Sequence, residues 1–377
     1  MRDGRGIYKR YGLDVRDEAV RMHVEDGMSM RAVASRLRQR CGCEIGVATV
    51  WRILEEAGGR CKTPAEVARE LKPRWAGWLK VDGKAVKIYG EDYTVLFARD
   101  RTGDLVDGVL AWGEDKESWR TFFKGLRDDI GYKLRGLTSD MREELIWGVK
   151  EVYGDVPHQY CAFHMSQIVD EKTRYKAFRT VLKKHGAVYN DLTHRILTWQ
   201  YRGLTRSQLE ARREQEAQRI RDWVDSHLLE LKLRGWARRF LMASSKREAA
   251  HHMAQIVLLK RRCRGRKKLG SLINSLFEKR KALLVHLDYP KLSRTNNEVE
   301  ELIRQFQRRV KTMDGFGKEE STKGFLNLWM LQYRFKAHGS CRGRNRWKNR
   351  KSPLEMAGIS TSGVDWVRFS QGPKSTN

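Results

Sequence analysis

The stretch Trp78–Trp112, WLKVDGKAVKIYGEDYTVLFARDRTGDLVDGVLAW, decides the fold. Three strand-like runs, Trp78 to Ile88, Tyr93 to Arg99 and Leu105 to Trp112, are parted by Gly90-Glu91-Asp92 and Thr102-Gly103-Asp104, both turn sequences. Such spacing predicts an antiparallel meander. In the first run Leu79 and Val81 face one way, so Lys80 and Asp82 face the other. An Asp inside a strand is costly to bury without a partner. Asp82-Gly83 also reads as a turn dipeptide, but Ala85, Val86 and Ile88 carry the strand pattern past it.

Downstream the period changes. Trp119, Phe122, Phe123 and Leu126 form the stripe of an amphipathic helix from Ser118 to Ile130. Leu134 to Leu137 reads as a short strand ending at Ser139-Asp140, Arg142 to Tyr153 as a helix, and His158 to Phe163 as a fifth strand. The expectation is an α/β unit with a mixed sheet, three antiparallel strands and then parallel ones. Asp140 sits at the carboxyl end of a strand and before a helix, where open α/β sheets place ligands. Asp140-x-x-Glu143 reads equally well as a capping box.

From Met165 to about His286 the chain reads as helical and heavily charged, with Trp199, Trp223 and Trp236 spaced through it. The run Lys260–Lys268, KRRCRGRKK, has seven basic residues in nine, which makes Arg261, Arg262, Arg264, Arg266, Lys267 and Lys268 candidate phosphate contacts. A loop from Asp288 leads to a second helical region, Asn296 to about Phe335. The Arg/Lys/Gly/Asn-rich tail His338–Lys351 is expected to be flexible until it meets DNA.

Upstream, Asp14 to Glu25 is helical, and Ser29 is an N-cap for a helix carrying Met30, Val33, Ala34 and Leu37. A third helix follows Gly46, with Val47, Val50, Trp51 and Leu54 inward and Ala48, Thr49 and Arg52 outward. That is the layout of a helix-turn-helix, whose last helix enters the major groove. An inert three-helix bundle gives the same pattern. Lys62 to Pro73 reads as a linker with a short charged helix.

Composition points the same way. Lys and Arg number 76 against 47 Asp and Glu in 377 residues, a formal charge of +29, and mean hydropathy is −0.67. A field of that sign on a chain with 40% hydrophobic residues points to a polyanionic partner, first of all nucleic acid. No run approaches the roughly 18 apolar residues of a membrane span, and the N-terminus lacks the apolar run of a signal peptide. Six scattered cysteines without C-x-x-C pairs read as reduced thiols, and Cys41-x-Cys43 with Cys61 falls short of a four-ligand zinc site. The expected setting is a prokaryotic cytoplasm, at the nucleoid, with no membrane partner.

Cutting and joining DNA strands with two Mg²⁺ ions requires a few converging carboxylates. Asp82 and Asp140 are two candidates. For a third, Glu298, Glu300 and Glu301 compete in Arg294–Arg304. Val299, Leu302, Ile303, Phe306 and Val310 define the buried stripe there. Glu301 lies opposite it, while Glu298 and Glu300 flank it equally, so periodicity leaves both open. Glu300 also stands i,i+4 from Arg304 as a simple ion pair.

Lys80-Val-Asp82-Gly-Lys84, Leu137-Thr-Ser-Asp140, Cys161-x-x-His164 and Thr295-Asn-Asn-x-x-Glu300 follow one another along the chain. With the closing segment Arg350-Lys-Ser-Pro-Leu-Glu-Met-Ala-Gly358, the set resembles the DDE transposases of bacterial and archaeal insertion sequences and of Mutator-like elements. The resemblance implies an RNase H-like catalytic core in two parts, 75–164 and 288–337, interrupted by an all-helical insertion, 165–287. A helix-turn-helix domain (1–60), a linker (61–74) and a basic tail (338–377) complete the expected organisation. It also implies that Asp82, Asp140 and Glu300 are both catalytic residues and ligands of two Mg²⁺, with Mn²⁺ able to substitute, and that Cys161 and His164 support them. The implied activity is cleavage at the ends of a mobile element and joining of the 3′-OH ends to target DNA. Double-stranded DNA, as ends and as target, is the partner, and a homodimer or larger assembly forms on it. The alternatives are an inactive, domesticated transposase that only binds DNA and a structure-specific nuclease of the same fold.

Overall fold

The three strand-like runs form β1 (Trp78–Ile88), β2 (Glu91–Asp100) and β3 (Leu105–Ala111), each antiparallel to the one before. These belong to a computed structural model that describes residues 12–42, 44–313 and 315–371. Two short strands follow, β4 (Gly136–Ser139) and β5 (His158–Tyr160), and the spatial order is β3-β2-β1-β4-β5. The layout of the sheet therefore departs from the order along the chain. The parallel strand β4 joins the meander beside its first strand, through Leu79 opposite Leu137 and Lys80 opposite Thr138, and leaves β1 central. The fifth strand is shorter than the sequence suggests, because Cys161–Phe163 turn into a helix once the sheet pairing is spent.

Residues Met1–His158 and Lys291–Asn377 make one compact unit, and Gln159–Pro290 make a second. In the first unit, α1 (Leu13–Val20) continues as a π-helical turn, Arg21–Glu25, and is followed by α2 (Met30–Cys41), α3 (Val47–Arg60) and α4 (Pro64–Leu71). Ser29 Oγ accepts the Ala32 N–H at 3.3 Å, the cap read from the sequence. Helix α3 is rotated from its expected setting. Its buried side is Val50, Ile53, Leu54, Ala57 and Gly58, while Val47 and Trp51 stay 41% and 40% exposed. Cys43 lies outside the described residues, so the thiol pair around it has no structural account.

Helices α5 (Lys116–Asp128) and α6 (Glu143–Tyr153) cover one sheet face, where Trp119, Phe122, Phe123, Leu126 and Leu145 pack on Leu79, Val81, Leu96 and Ala98. In the second unit the chain beyond Tyr160 is helical among the described residues: α7 (Ala162–Lys172), α8 (Tyr175–Leu197), α9 (Arg206–Ser226), α10 (Leu228–Met242), α11 (Lys246–Leu259) and α12 (Lys267–Lys279), with 3₁₀ turns between and after them. Helices α8 and α9 meet over Leu192, Ile196 and Leu209.

Back in the first unit, α13 (Asn297–Val310) and α14 (Glu319–Phe335) cover the opposite sheet face, and α15 (Pro353–Met356) and α16 (Trp366–Ser370) close the chain. Val95, Phe97 and Leu105 of the sheet share a single core with Phe306, Trp329 and also Val33, Leu37 and Ile53 of the N-terminal helices. Those helices are thus built into the same core as the sheet. Where α3 crosses α14, a Cβ on Gly58 would lie 2.9 Å from Gly324 Cα, a distance no side chain tolerates. This crossing sets the rotation of α3.

The basic tail is also folded over its described residues. Asn349 accepts from the Cys341 N–H at 2.8 Å and donates to the Cys341 carbonyl at 3.1 Å, closing a loop around the 3₁₀ turn Gly343–Lys348. The flexibility expected there gives way because one amide side chain satisfies both backbone groups. Beneath the sheet, Arg334 and Asp104 form a buried two-point pair, Nε to Oδ1 at 2.9 Å and Nη2 to Oδ2 at 2.8 Å, with the Trp75 indole also donating to Asp104 at 2.9 Å. No helix among the described residues is long and apolar enough to cross a membrane.

Candidate active site

The alternation along β1 puts Leu79 and Val81 under α5 and α6, so Lys80 and Asp82 face α13. Pairing with β4 ends at Lys80, and just beyond it Asn296 Nδ2 donates to the Val81 carbonyl at 2.7 Å. Thr138 Oγ1 of β4 donates to the Ser293 carbonyl at 2.8 Å. The loop before α13 is thereby fastened to β1, which carries Asp82 in its interior, and to β4, which Asp140 follows. One Asn of Thr295-Asn-Asn is thus a bracket that fixes the first turn of α13 over β1, and that first turn holds Glu298 and Glu300.

The two glutamates go to different surroundings. Glu298 pairs with the buried Lys80 ammonium, lies 3.8 Å from Lys348, and its backbone carbonyl accepts from Arg99 at 2.6 Å. Burial raises its pKa, but Lys80, Arg99 and Lys348 outweigh that and hold it at about 2. Glu300 contributes instead to the field at Asp82. Arg304, the possible i,i+4 partner of Glu300, pairs with Glu301 at 2.7 Å.

Asp82 is raised to about 7, first by burial, then by the Asp140 charge, with Glu300 and Glu114 adding and one bond from the Gly83 N–H at 2.9 Å opposing. Three carboxylates therefore act on Asp82 here. Asp140 does not cap a helix: α6 starts at Glu143 with Arg142 in the cap position, so the capping-box reading fails. Both Asp140 oxygens instead accept from Arg142, at 3.2 Å from its N–H and 3.1 Å from Nε. The same guanidinium reaches Glu114 at 2.8 Å. Behind Asp140, Ser139 Oγ donates to the Asp140 carbonyl at 2.8 Å and lies 2.7 Å from Nε2 of His158, whose burial lowers it to about 4 and keeps it neutral.

Glu114 and Arg142 escaped the sequence reading. Glu114 follows β3 in a polar turn, and only the fold brings its carboxylate against Gly83, where an added Cβ would lie 2.6 Å from it. Cys161, buried, is the N-cap of α7, and His164, half-buried, is in its first turn; both belong to the second unit. Of the other expected contacts, Ala48 and Arg52 are exposed on α3 and Thr49 is half-buried. Arg261, Arg262, Arg264, Arg266, Lys267 and Lys268 are exposed around a 3₁₀ turn, with Arg266 held by Glu230 at 2.8 Å.

Asp82 and the carboxylates whose charges act on it offer oxygen donors, the kind a hard divalent cation takes, and burial with those charges raises Asp82 to about 7. That shift also gives a pH signature. The unfolded chain ionises Asp82 near 4, whereas the folded chain keeps the proton to about 7, so ion-free stability falls as pH rises between these values. Asp107, buried in β3 and raised to about 7 by that burial, acts in the same direction. Mn²⁺ is expected to raise Tm at pH 7.5 and to have little effect at pH 5, where Asp82 holds its proton. Thermal melts in Mn²⁺ and in EDTA check this. Asp82→Asn should remove the ion response and Asp107→Asn should keep it; an ion response that survives Asp82→Asn contradicts the assignment.

A family model described as "Transposase, Mutator family" matches residues 6–226. The chain belongs to the Mutator family of transposases. No curated protein matches it. The matched span contains Asp82, Glu114, Asp140, Arg142, Cys161 and His164 and stops short of Glu300 and the basic turn.

Proposed function

We propose that this chain is a DDE transposase that cuts DNA at the ends of a mobile element and joins the freed 3′-OH ends to target DNA. The family match, together with Asp82 beside the central strand under the charges of Asp140 and Glu300, supports the reading. The sheet with its carboxylates at β1, β4 and α13 serves as an RNase H-like core, and α1 to α3 serve as a helix-turn-helix.

Asp82 and Asp140 would hold two Mg²⁺ ions, or Mn²⁺, and Glu300 would complete the second position. When bound, such ions lower the pKa of a water and stabilise the leaving oxygen of a phosphodiester. Asn296 and Ser139 keep the carboxylate-bearing backbone in place, and Lys80 keeps Glu298 out of the set. The 3′-OH released at the element end then attacks a target phosphodiester, one P–O bond forming as another breaks, with no covalent protein intermediate. Arg52 beside Ala48 and Thr49 would read the ends, and the basic turn Arg261–Lys268 would hold phosphates. Two ends cut and joined together call for a dimer or larger assembly on DNA, at the nucleoid of a prokaryotic cytoplasm.

The test is nicking of a labelled element-end duplex in Mg²⁺ or Mn²⁺. Asp82→Asn should abolish nicking while DNA affinity, read by fluorescence anisotropy, is kept. A wild-type chain that binds the ends and never cuts them would favour the domesticated DNA-binding reading instead.

A further inference from the structure

Arg142 occupies a position that a metal-dependent centre would not ordinarily give to a cation. Its backbone N–H and Nε take both oxygens of Asp140, and its Nη1 takes Glu114 at 2.8 Å. The Asp140 and Glu114 side chains are only 18% and 14% exposed, but that of Arg142 is 51% exposed. The anions are thus shielded, and the cation is the partner that solvent reaches. Glu114 is itself fixed, wedged against Gly83 of β1, where no Cβ stands in its way. Lys84 adds a further positive charge near it.

We propose that Arg142 is a placeholder cation: it neutralises Asp140 in the ion-free protein, leaves Asp140 when a divalent ion enters, and is retained by Glu114. This rests on the metal reading of Asp82, Asp140 and Glu300 and adds a regulation of that site. An arriving ion must replace the Nε bond to Asp140, so Arg142 weakens ion binding. Glu114 lessens that penalty by giving the displaced guanidinium a second anchor within reach. The arrangement keeps a cluster of like charges intact before DNA and ions assemble, and it ties tight ion binding to removal of one side chain. Glu114 here is a positioning residue acting through Arg142.

The experiment is calorimetric titration of the full-length chain with Mn²⁺, without DNA, for wild type, Arg142→Gln, Arg142→Lys, Glu114→Gln and the Arg142→Gln/Glu114→Gln pair, with Asp82→Asn as reference. Arg142→Gln should tighten Mn²⁺ binding about three- to tenfold, the range of one partly exposed ion pair. Arg142→Lys, which keeps the charge without the fork, should lie between. Glu114→Gln should weaken binding more in the wild-type background than in the Arg142→Gln background, where only its charge near Asp82 is lost. Unchanged or weaker binding in Arg142→Gln overturns the placeholder role. Equal weakening by Glu114→Gln in both backgrounds makes Glu114 a direct ligand and overturns its part. If Mn²⁺ binding in the wild type is indifferent to Asp82→Asn, the metal reading itself fails, and that is a separate outcome. Circular dichroism and melting of each variant confirm that a changed affinity belongs to a folded chain.

Discussion

Glu300→Gln is expected to stop nicking of an element-end duplex, while Glu298→Gln leaves measurable nicking in a less stable protein. The two residues are two positions apart on α13 and flank its apolar stripe, but their partners separate them. Glu300 adds to the field at Asp82, and Glu298 answers the buried Lys80. With Glu300 as the metal ligand proposed above, its loss should cost more than the roughly 10–100-fold lost with residues that merely orient a ligand. Glu298→Gln leaves Lys80 facing a neutral amide. Because Glu298 is partly exposed, the cost is about 1–3 kcal/mol, below the full price of breaking a buried pair. Nicking rates at one temperature, with urea unfolding of both variants, separate the two effects. Nicking by Glu300→Gln alongside a dead, folded Glu298→Gln would reverse the assignment.

Asp104→Ala is expected to be the most damaging single change away from the carboxylates. Asp104 is fully buried and Arg334 is 2% exposed, and they meet through two hydrogen bonds, so the truncation strands a guanidinium in the core. Breaking such a pair from one side costs about 3–5 kcal/mol, and the Trp75 indole loses its acceptor as well. Asp104→Asn, which keeps an oxygen for Arg334, should cost less. Replacing both partners by apolar residues should recover part of the loss, since it removes the uncompensated charge. Urea unfolding monitored by tryptophan fluorescence measures all three, and a loss under about 1 kcal/mol for Asp104→Ala contradicts the argument.

The meander was legible because its apolar residues recur in short strand-like runs parted by turn sequences at Gly90 and Gly103, both of which the chain uses as turns with positive φ. The stripe Val299, Leu302, Ile303 and Phe306 on α13 was legible for the same reason at helical period, and all four are buried. What failed to show was set by partners distant in sequence. The rotation of α3 depends on Gly58 meeting Gly324, and a residue without a side chain leaves no mark on a hydrophobic pattern. Asp140-x-x-Glu143 describes a local option that the chain declines by starting α6 later, with Arg142 turned back onto Asp140. Glu298 and Glu300 were symmetric about their stripe, and the choice rests with Lys80, more than two hundred residues earlier. Glu114 carried no motif at all. Its place in the centre exists only because the turn after β3 ends beside Gly83. The tail looked unstructured because its composition is that of a soluble segment, and composition is blind to one well-placed Asn349.

The bare crossing of Gly58 and Gly324 has an evolutionary corollary. Two backbones in contact leave no slack along which residues 12–60 might be exchanged for the corresponding piece of a relative. A graft bearing a side chain at either position would have to tilt, and the tilt would be passed directly to the outward face of α3. Ala48 and Arg52 lie on that exposed face, away from the crossing, and can change without disturbing it. The seam itself can change only in concert, a lock with two keys. A new outward face is therefore accessible to this chain one substitution at a time, whereas new orientations of α3 are not.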